Sequence, residues 1–264
     1  MAHQRVPQLL AVCIFTTVPL FSPVASRAQD FAASATMRPA RLSLSEVVAN
    51  LTKSNDQRAK ELGHYQGKRE YIIDYKGFGH DLHAEETVLV SYSAPSTVEF
   101  TEVSESGSKL IINRAIKPMM QTEQESLQPG NHERTLVSPD NYNFTLLDSS
   151  AEDTDGCSYV LGVEPKAPNK FMFRGKIWVN EKDFAICRIE AEPAKNPSFW
   201  IKSTAIHHSY MKIGDFWVPA QNQSASAIRI GGKATLTIKY EDYQIQSVPG
   251  LEATAAAHSM PGTN

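Results

Sequence analysis

His80 and His83 stand three residues apart with Asp81 between them, and His207 and His208 are adjacent. Imidazole is the commonest protein metal ligand, so each pair is a natural place to look for a metal site. The residues around both pairs read as strands, however. On a strand, positions one or three apart face opposite sides, so neither pair can close on one ion. Glu85 and Glu86 fail as an acid/base pair for the same reason. The run Asp153-Thr154-Asp155-Gly156 resembles the start of a calcium loop, but its glycine is misplaced and no closing glutamate follows at the required spacing. A hairpin turn is the better reading. No glycine-rich phosphate loop and no serine-hydrolase elbow occurs. The expectation is a protein without catalytic residues, metal or cofactor, and not an enzyme.

Composition narrows the classes further. The chain has 264 residues, with 41% hydrophobic, 21% charged and 9% aromatic. Those are globular proportions, and they exclude collagen-like, coiled-coil and wholly disordered chains. Lys plus Arg is 26 against 29 Asp plus Glu, a formal net charge of −3. A mildly acidic protein lacks the basic footprint that nucleic acid requires.

The first 28 residues read as a secretory signal peptide. Leu9 to Val24 is mostly apolar, is interrupted by Pro19 and Pro23, and is followed by Ser26-Arg27-Ala28, a small-residue cleavage site. The run is shorter than the ~20 residues a membrane span needs. Cleavage after Ala28 removes Arg5 and Arg27 and no acid, leaving 24 basic and 29 acidic residues. An exported, periplasmic protein is expected. Cys157 and Cys187 survive cleavage, and an oxidising compartment permits a disulfide. The strand pattern places them two strands apart, about 10 Å. That exceeds disulfide reach, so two free buried thiols are expected.

Residues 29–42 read as a flexible tether. Ser43-Leu44-Ser45-Glu46 has capping-box spacing, and Val47, Val48, Leu51, Ala59 and Leu62 recur on a helical period, predicting a helix over 44–62. Three strands follow, marked by Tyr71/Ile73/Tyr75, Val88/Val90/Tyr92 and Val98/Phe100/Val103. Ile112, Ile116, Met119, Met120 and Leu127 fit one face of a second helix, 109–127, which Pro118 should kink or divide. Residues 128–141 read as a loop. Strands are predicted at 142–149, 157–165, 170–179, 184–192, 200–213, 216–230 and 234–245. The short Gly-, Asn- and Asp-rich turns between them force antiparallel neighbours. Residues 247–264 read as a disordered tail.

About ten strands and two helices in one domain, 43–246, must share a core. An antiparallel sheet with one apolar face can curve into an unclosed barrel, with helices over the open side. The fold class is therefore mainly β with two helices (α+β), an open half-barrel with a helical lid. Leu161 and Val163, Phe173 and Ile177, and Leu236 and Ile238 each share a strand face. They are the candidate walls of an apolar cavity. Ile112, Ile116, Met119 and Met120 are its candidate lid, the methionines suiting an adaptable apolar surface. The same residues would serve equally in a filled core.

The stretch from Phe171 to Asn180, FMFRGKIWVN, is followed by DFAICRIE from Asp183 to Glu190. Asn196 to Trp200, Gly214 to Pro219 and Gly232 to Tyr240 complete an ordered set of strand segments. Together they resemble the outer-membrane lipoprotein-sorting (LolA-like) superfamily over roughly residues 44–246. The resemblance implies an unclosed antiparallel barrel with a helical lid, whose apolar concave face holds the acyl chains of lipoproteins or lipid. Related domains sense lipoproteins within anti-sigma regulators. It also implies an arginine that locks the lid, for which Arg69, Arg114, Arg174 and Arg188 are all candidates. Expected partners are therefore lipoprotein acyl chains or lipid and no nucleic acid, with a membrane receptor left open; release would need a partner that competes for the lid or the cavity, and a monomer is the simpler state. The competing expectation is a periplasmic interaction or sensor module with a filled core and no lipid cargo.

Overall fold

The computed structural model describes residues 41–77, 79–147, 156–196, 198–229 and 231–248. The predicted signal peptide, most of the tether and residues 249–264 of the predicted tail lie outside these residues, as do Asp153, Thr154 and Asp155 of the acidic turn.

Helix α1, Leu44–Glu61, opens on the capping box read from the sequence. The Ser43 backbone N–H donates to Glu46 Oε2 at 2.8 Å, and the Glu46 N–H donates to Ser43 Oγ at 3.4 Å. Two of the donors that every helix start leaves unpaired are thereby satisfied. The chain then runs directly into β1 (Leu62–Lys76), followed by β2 (Asp81–Ser93) and β3 (Thr97–Gly107). Next comes a continuous helical segment: α2 (Lys109–Ile111), a π-helical turn over Ile112–Ile116, and α3 (Lys117–Leu127). In the π turn the Lys117 N–H bonds to the Ile112 carbonyl, one residue further back than in an α-helix. Pro118 thus falls in the first turn of α3, where its missing N–H costs little. The expected break at Pro118 takes this form, a widened turn just before it. A short α4, His132–Thr135, lies in the segment read as a loop.

The remaining strands are β4 (Tyr142–Leu147), β5 (Tyr159–Pro165), β6 (Phe173–Val179), β7 (Ile186–Pro193), β8 (Ile201–Ile213), β9 (Phe216–Ile228) and β10 (Lys233–Ser247). Ser247 belongs to β10, and the Val248 N–H donates to Glu61 O at 2.9 Å. All ten strands form one antiparallel sheet in the order β3-β2-β1-β10-β9-β8-β7-β6-β5-β4. The strands at the two ends of that order, β3 and β4, are not paired with each other, so the barrel stays open. The fold is the open antiparallel half-barrel expected from the sequence, with few helices.

Opposed residues on neighbouring strands share a face. One row crosses the entire sheet: Leu146, Leu161, Ile177, Ile189, His208, Asn222, Ile238, Tyr71, Glu86 and Glu105. This is the inner face, and the helices cover it in two separate places. Val47, Val48 and Leu51 of α1 pack with Tyr142, Leu161, Val163, Ile177, Val179 and Ile189. Ile111, Ile112, Ile116 and Met120 pack with Tyr71, Ile73, Ala84, Val88, Val90, Ile238 and Tyr240. Val47, Leu51, Ile112 and Ile116 are wholly buried. Each such aliphatic side chain contributes roughly 1.5–3 kcal/mol through burial.

The expectation of free thiols is overturned. Cys157 and Cys187 form a disulfide with their Cα atoms 6.5 Å apart. Two features bring them within reach. Cys157 precedes β5, in a segment that crosses the β6–β7 turn, where the Glu181 N–H donates to Gly156 O at 2.8 Å. Cys187 sits at a β-bulge, the register passing from Trp178 opposite Arg188 to Val179 opposite Ile186. A bulge re-aims its side chain out of the regular alternation.

Candidate functional site

The strand alternation that makes each predicted cavity pair also makes the inner face, and all six predicted wall residues lie on it. They do not converge on one volume. Leu161, Val163 and Ile177 are in the core under α1, with Phe173 packed against it. Ile238 is in the core under α2 and α3, with Leu236 packed against it. Strands β6 and β10 are four steps apart in the sheet, about 19 Å. The predicted lid residues Ile112, Ile116 and Met120 belong to the second core, with Met119 packed beside them. The lid therefore meets only Leu236 and Ile238 of the predicted walls. The reason is topological: β10 returns to pair with β1 and so carries its apolar face to the other half of the sheet.

Between the two cores lies the inner face of β8 and β9. Thr204, Ile206, His208, Ser224 and Ser226 are half-buried there. Of these two strands only Tyr210 packs against either core. The strip is mostly polar: the Thr204 and Ser226 hydroxyls bond at 2.8 Å. The His208 ring stacks on Tyr210, with centroids 4.5 Å apart, and lies 6.1 Å from that of Tyr240. Its Nε2 is buried and finds no hydrogen-bond partner among the described residues. Burial, aided by the nearby Arg69 charge, pushes the imidazole down to about 4, so it is neutral at physiological pH.

Of the four candidate arginines, Arg69 is the one buried between the sheet and α3. It stands on β1 opposite Tyr240 on the inner face and is only 5% exposed. Its Nη1 lies 2.6 Å from Glu123 Oε2 on α3. Its guanidinium sits 5.0 Å from the Tyr240 ring centroid and 5.6 Å from that of Phe100. Burial alone would lower its pKa, but the Glu123 charge and hydrogen bond outweigh this and hold it above the ordinary value. The other candidates lie elsewhere. Arg114 is exposed on the π turn, Arg174 reaches Ala194 O, and Arg188 stacks on Trp178 at 4.4 Å. Strand periodicity marked position 69 as facing the same side as Tyr71 and Ile73. A charged residue on an apolar face was the available signal, and its partner 54 residues away was not. Further contacts hold α3 down: Gln124 Nε2 donates to Val98 O at 3.1 Å, and Lys117 lies 3.6 Å from both Glu102 and Glu105. Beside them Glu86 is 1% exposed with an unpartnered Oε2, and burial raises its pKa.

The histidines sort as their spacing requires. His83 on the outer face bonds Asp74 at 2.8 Å and lies 3.2 Å from Glu85, while His207 and His208 face opposite sides. Among the described residues no three His, Cys, Asp or Glu side chains converge as a metal-ligand set. No described helix is long and apolar enough to cross a membrane. On the outer face, a cleft of about 700 Å³ opens where β7 and β8 part, lined by Arg174, Lys176, Glu190, Glu192, Ala205 and His207 among others.

Several solved structures are similar to this chain. A domain provisionally described as an outer membrane lipoprotein-sorting protein, from Vibrio parahaemolyticus, is 12% identical, with a TM-score of 0.35 over 79% of this chain and 96% of that one. A DUF1329 family protein from Desulfovibrio piger is 15% identical, with a TM-score of 0.37 over 81% of this chain and 97% of that one. The MucA/MucB complex of Pseudomonas aeruginosa gives 8% identity and a TM-score of 0.25 over 77% of this chain and 100% of that one. No curated protein matches the sequence significantly. Residues 51–243 match the model of a family of unknown function, DUF5686, and the chain belongs to that family.

Proposed function

We propose that the protein is an exported, non-catalytic binding module that receives an acyl chain, of a lipoprotein or a lipid, between α3 and the inner face of β1, β2 and β10. The observation that carries this reading is the buried Arg69–Glu123 pair, 2.6 Å long, which ties the methionine-bearing helix to the sheet. A hydrophobic core needs no such pair, since burying a charge is costly even when it is partnered. A pair that joins a helix to the face it covers is instead suited to a closed state that can be opened. The π turn at Ile112–Ile116 supports the same reading, because π turns inside α-helices occur frequently at functional sites.

In this mechanism the helix lifts, Arg69 exchanges Glu123 for water or ligand, and Ile112, Ile116, Met119 and Met120 become one wall of a groove. Leu236 and Ile238 form its floor. Each methylene taken from water contributes about 0.8 kcal/mol, so a sixteen-carbon chain gains on the order of 10 kcal/mol before ordering costs. Release requires a partner that competes for the lid or the groove. The predicted signal peptide supports a periplasmic setting.

A second reading is a sensor or interaction module that keeps this core filled. The complete burial of Ile112 and Ile116 favours it. In-cell photo-crosslinking from Met119 and Phe173, with mass spectrometry of the adducts, decides between the two. Lipoprotein or lipid adducts at Met119 but not at Phe173 support the groove under α3. Protein adducts without an acyl chain, or none at Met119 in the folded protein, refute it in favour of the filled module.

A further inference from the structure

One end of the sheet carries an exposed aromatic pair within a patch of unpaired cations. The β7–β8 connection presents Phe199 and Trp200, 75% and 56% exposed, their rings edge to face at 5.4 Å. The β9–β10 turn lies beside it: the Arg229 N–H donates to Trp200 O at 2.8 Å, and the Arg229 guanidinium sits 5.3 Å from the Phe199 ring. Lys195 and Arg229 on these two connections, and Lys202 and Lys233 at the adjoining ends of β8 and β10, are all exposed, and none of them forms an ion pair among the described residues. Between Glu192 and Glu241 the sequence holds one acidic residue, Asp215, which lies in the β8–β9 turn at the opposite end of the sheet. Glu190 and Glu192 line clefts shared with Lys202 and Lys233, and the four cations still leave the patch net positive, against the mildly acidic chain that bears it.

We infer that this end of the sheet docks on an anionic phospholipid surface, with Phe199 and Trp200 inserted at headgroup depth and the four cations against the lipid phosphates. Aromatic rings with an apolar body suit the membrane–water boundary, and Trp is enriched there. Cations beside them answer the negative surface potential. Charge complementarity selects lipid over a second copy of this chain, because a symmetric pairing of this patch would set four cations against four. The inference is independent of what α3 covers. A surface-docked protein need hold no cargo, and a cargo carrier need not dock here.

The test is vesicle flotation of the full exported chain with phosphatidylglycerol/phosphatidylethanolamine vesicles and with pure phosphatidylcholine vesicles, at 50 and 300 mM salt as probe conditions. The expected result is binding to the phosphatidylglycerol vesicles that weakens with salt. Phe199→Ser/Trp200→Ser should weaken it about tenfold or more, as lost burial of a large ring predicts. Lys195→Glu/Lys202→Glu should weaken it at least as much, since each cation near the surface is worth about fivefold. All four residues are exposed, so an unchanged circular dichroism spectrum and melting curve are required of both variants. Equal binding to neutral vesicles, no binding to either, or undiminished binding by both variants would overturn the inference. Loss of binding in the rim variants with Met119 adducts retained would separate docking from cargo.

Discussion

Removing Glu123 should destabilise the protein more than removing Arg69. Arg69 is 5% exposed, whereas the Glu123 side chain is 34% exposed. In Glu123→Gln the guanidinium keeps its charge in a buried place, with Tyr65 Oη at 3.4 Å and two aromatic rings as its remaining company. Breaking a fully buried pair costs about 3–5 kcal/mol, and the partial exposure of Glu123 reduces that to roughly 2–3 kcal/mol. In Arg69→Met the apolar stem still packs over Phe100 and Tyr240, and Glu123 can turn to water; about 1 kcal/mol is expected. The double variant should be more stable than Glu123→Gln alone, because it removes the stranded charge. Urea denaturation of the three variants measures the cycle. Hydrogen exchange adds the location: α3 amides should exchange faster in Glu123→Gln while α1 amides stay protected. If Arg69→Met is the more damaging single change, or the double variant is the least stable, the reasoning fails. So does it if α1 and α3 open together.

Three other outcomes are expected. His208 is held near 4 in the folded protein against an ordinary value of about 6.5, so the unfolded chain takes up a proton the folded chain refuses; stability should fall as pH drops from 6.5 to 4 and level off below, by at most about 3 kcal/mol, and the difference between wild type and His208→Phe across that window should show it. Cys157→Ser/Cys187→Ser should lose about 3.6 kcal/mol in denaturant, the closure entropy of a loop with separation 30, and the oxidised protein should resist alkylation until it is both unfolded and reduced. Leu51→Ala, at a wholly buried position, should cost about 3 kcal/mol in the same assay, whereas Leu110→Ala, at a position 62% exposed, should stay within about 0.5 kcal/mol.

Much of the fold was legible because its signals are local. Ser43 and Glu46 are three residues apart, and the box they form is closed by contacts within one turn. The predicted strands fall within a few residues of the observed ones, since alternation and glycine-bearing turns are read over a few residues. The disulfide was misjudged because its geometry depends on a bulge at Cys187 and on where the segment before Tyr159 crosses the sheet. Neither leaves a mark on hydrophobic periodicity. The candidate walls share the inner face but fall in two separate cores. Period 2 fixes which side Leu161 and Ile238 point to, but not that His208 and Asn222 stand in the row between them.

By itself, then, the sequence determined the strands, their antiparallel succession, the two covering helices and the inner face of each strand. Each is set by residues close together in the chain, whose spacing matches the period of one element. Only the tertiary structure decided that β10 lies beside β1, that the two helices cover separate cores, and that Arg69 meets Glu123. Those facts depend on which distant segments share a hydrogen-bonded edge or a buried surface. Residues 69 and 123 carry opposite charges in the sequence, as many pairs do, and only the folded sheet brings these two to 2.6 Å in a place shielded from water.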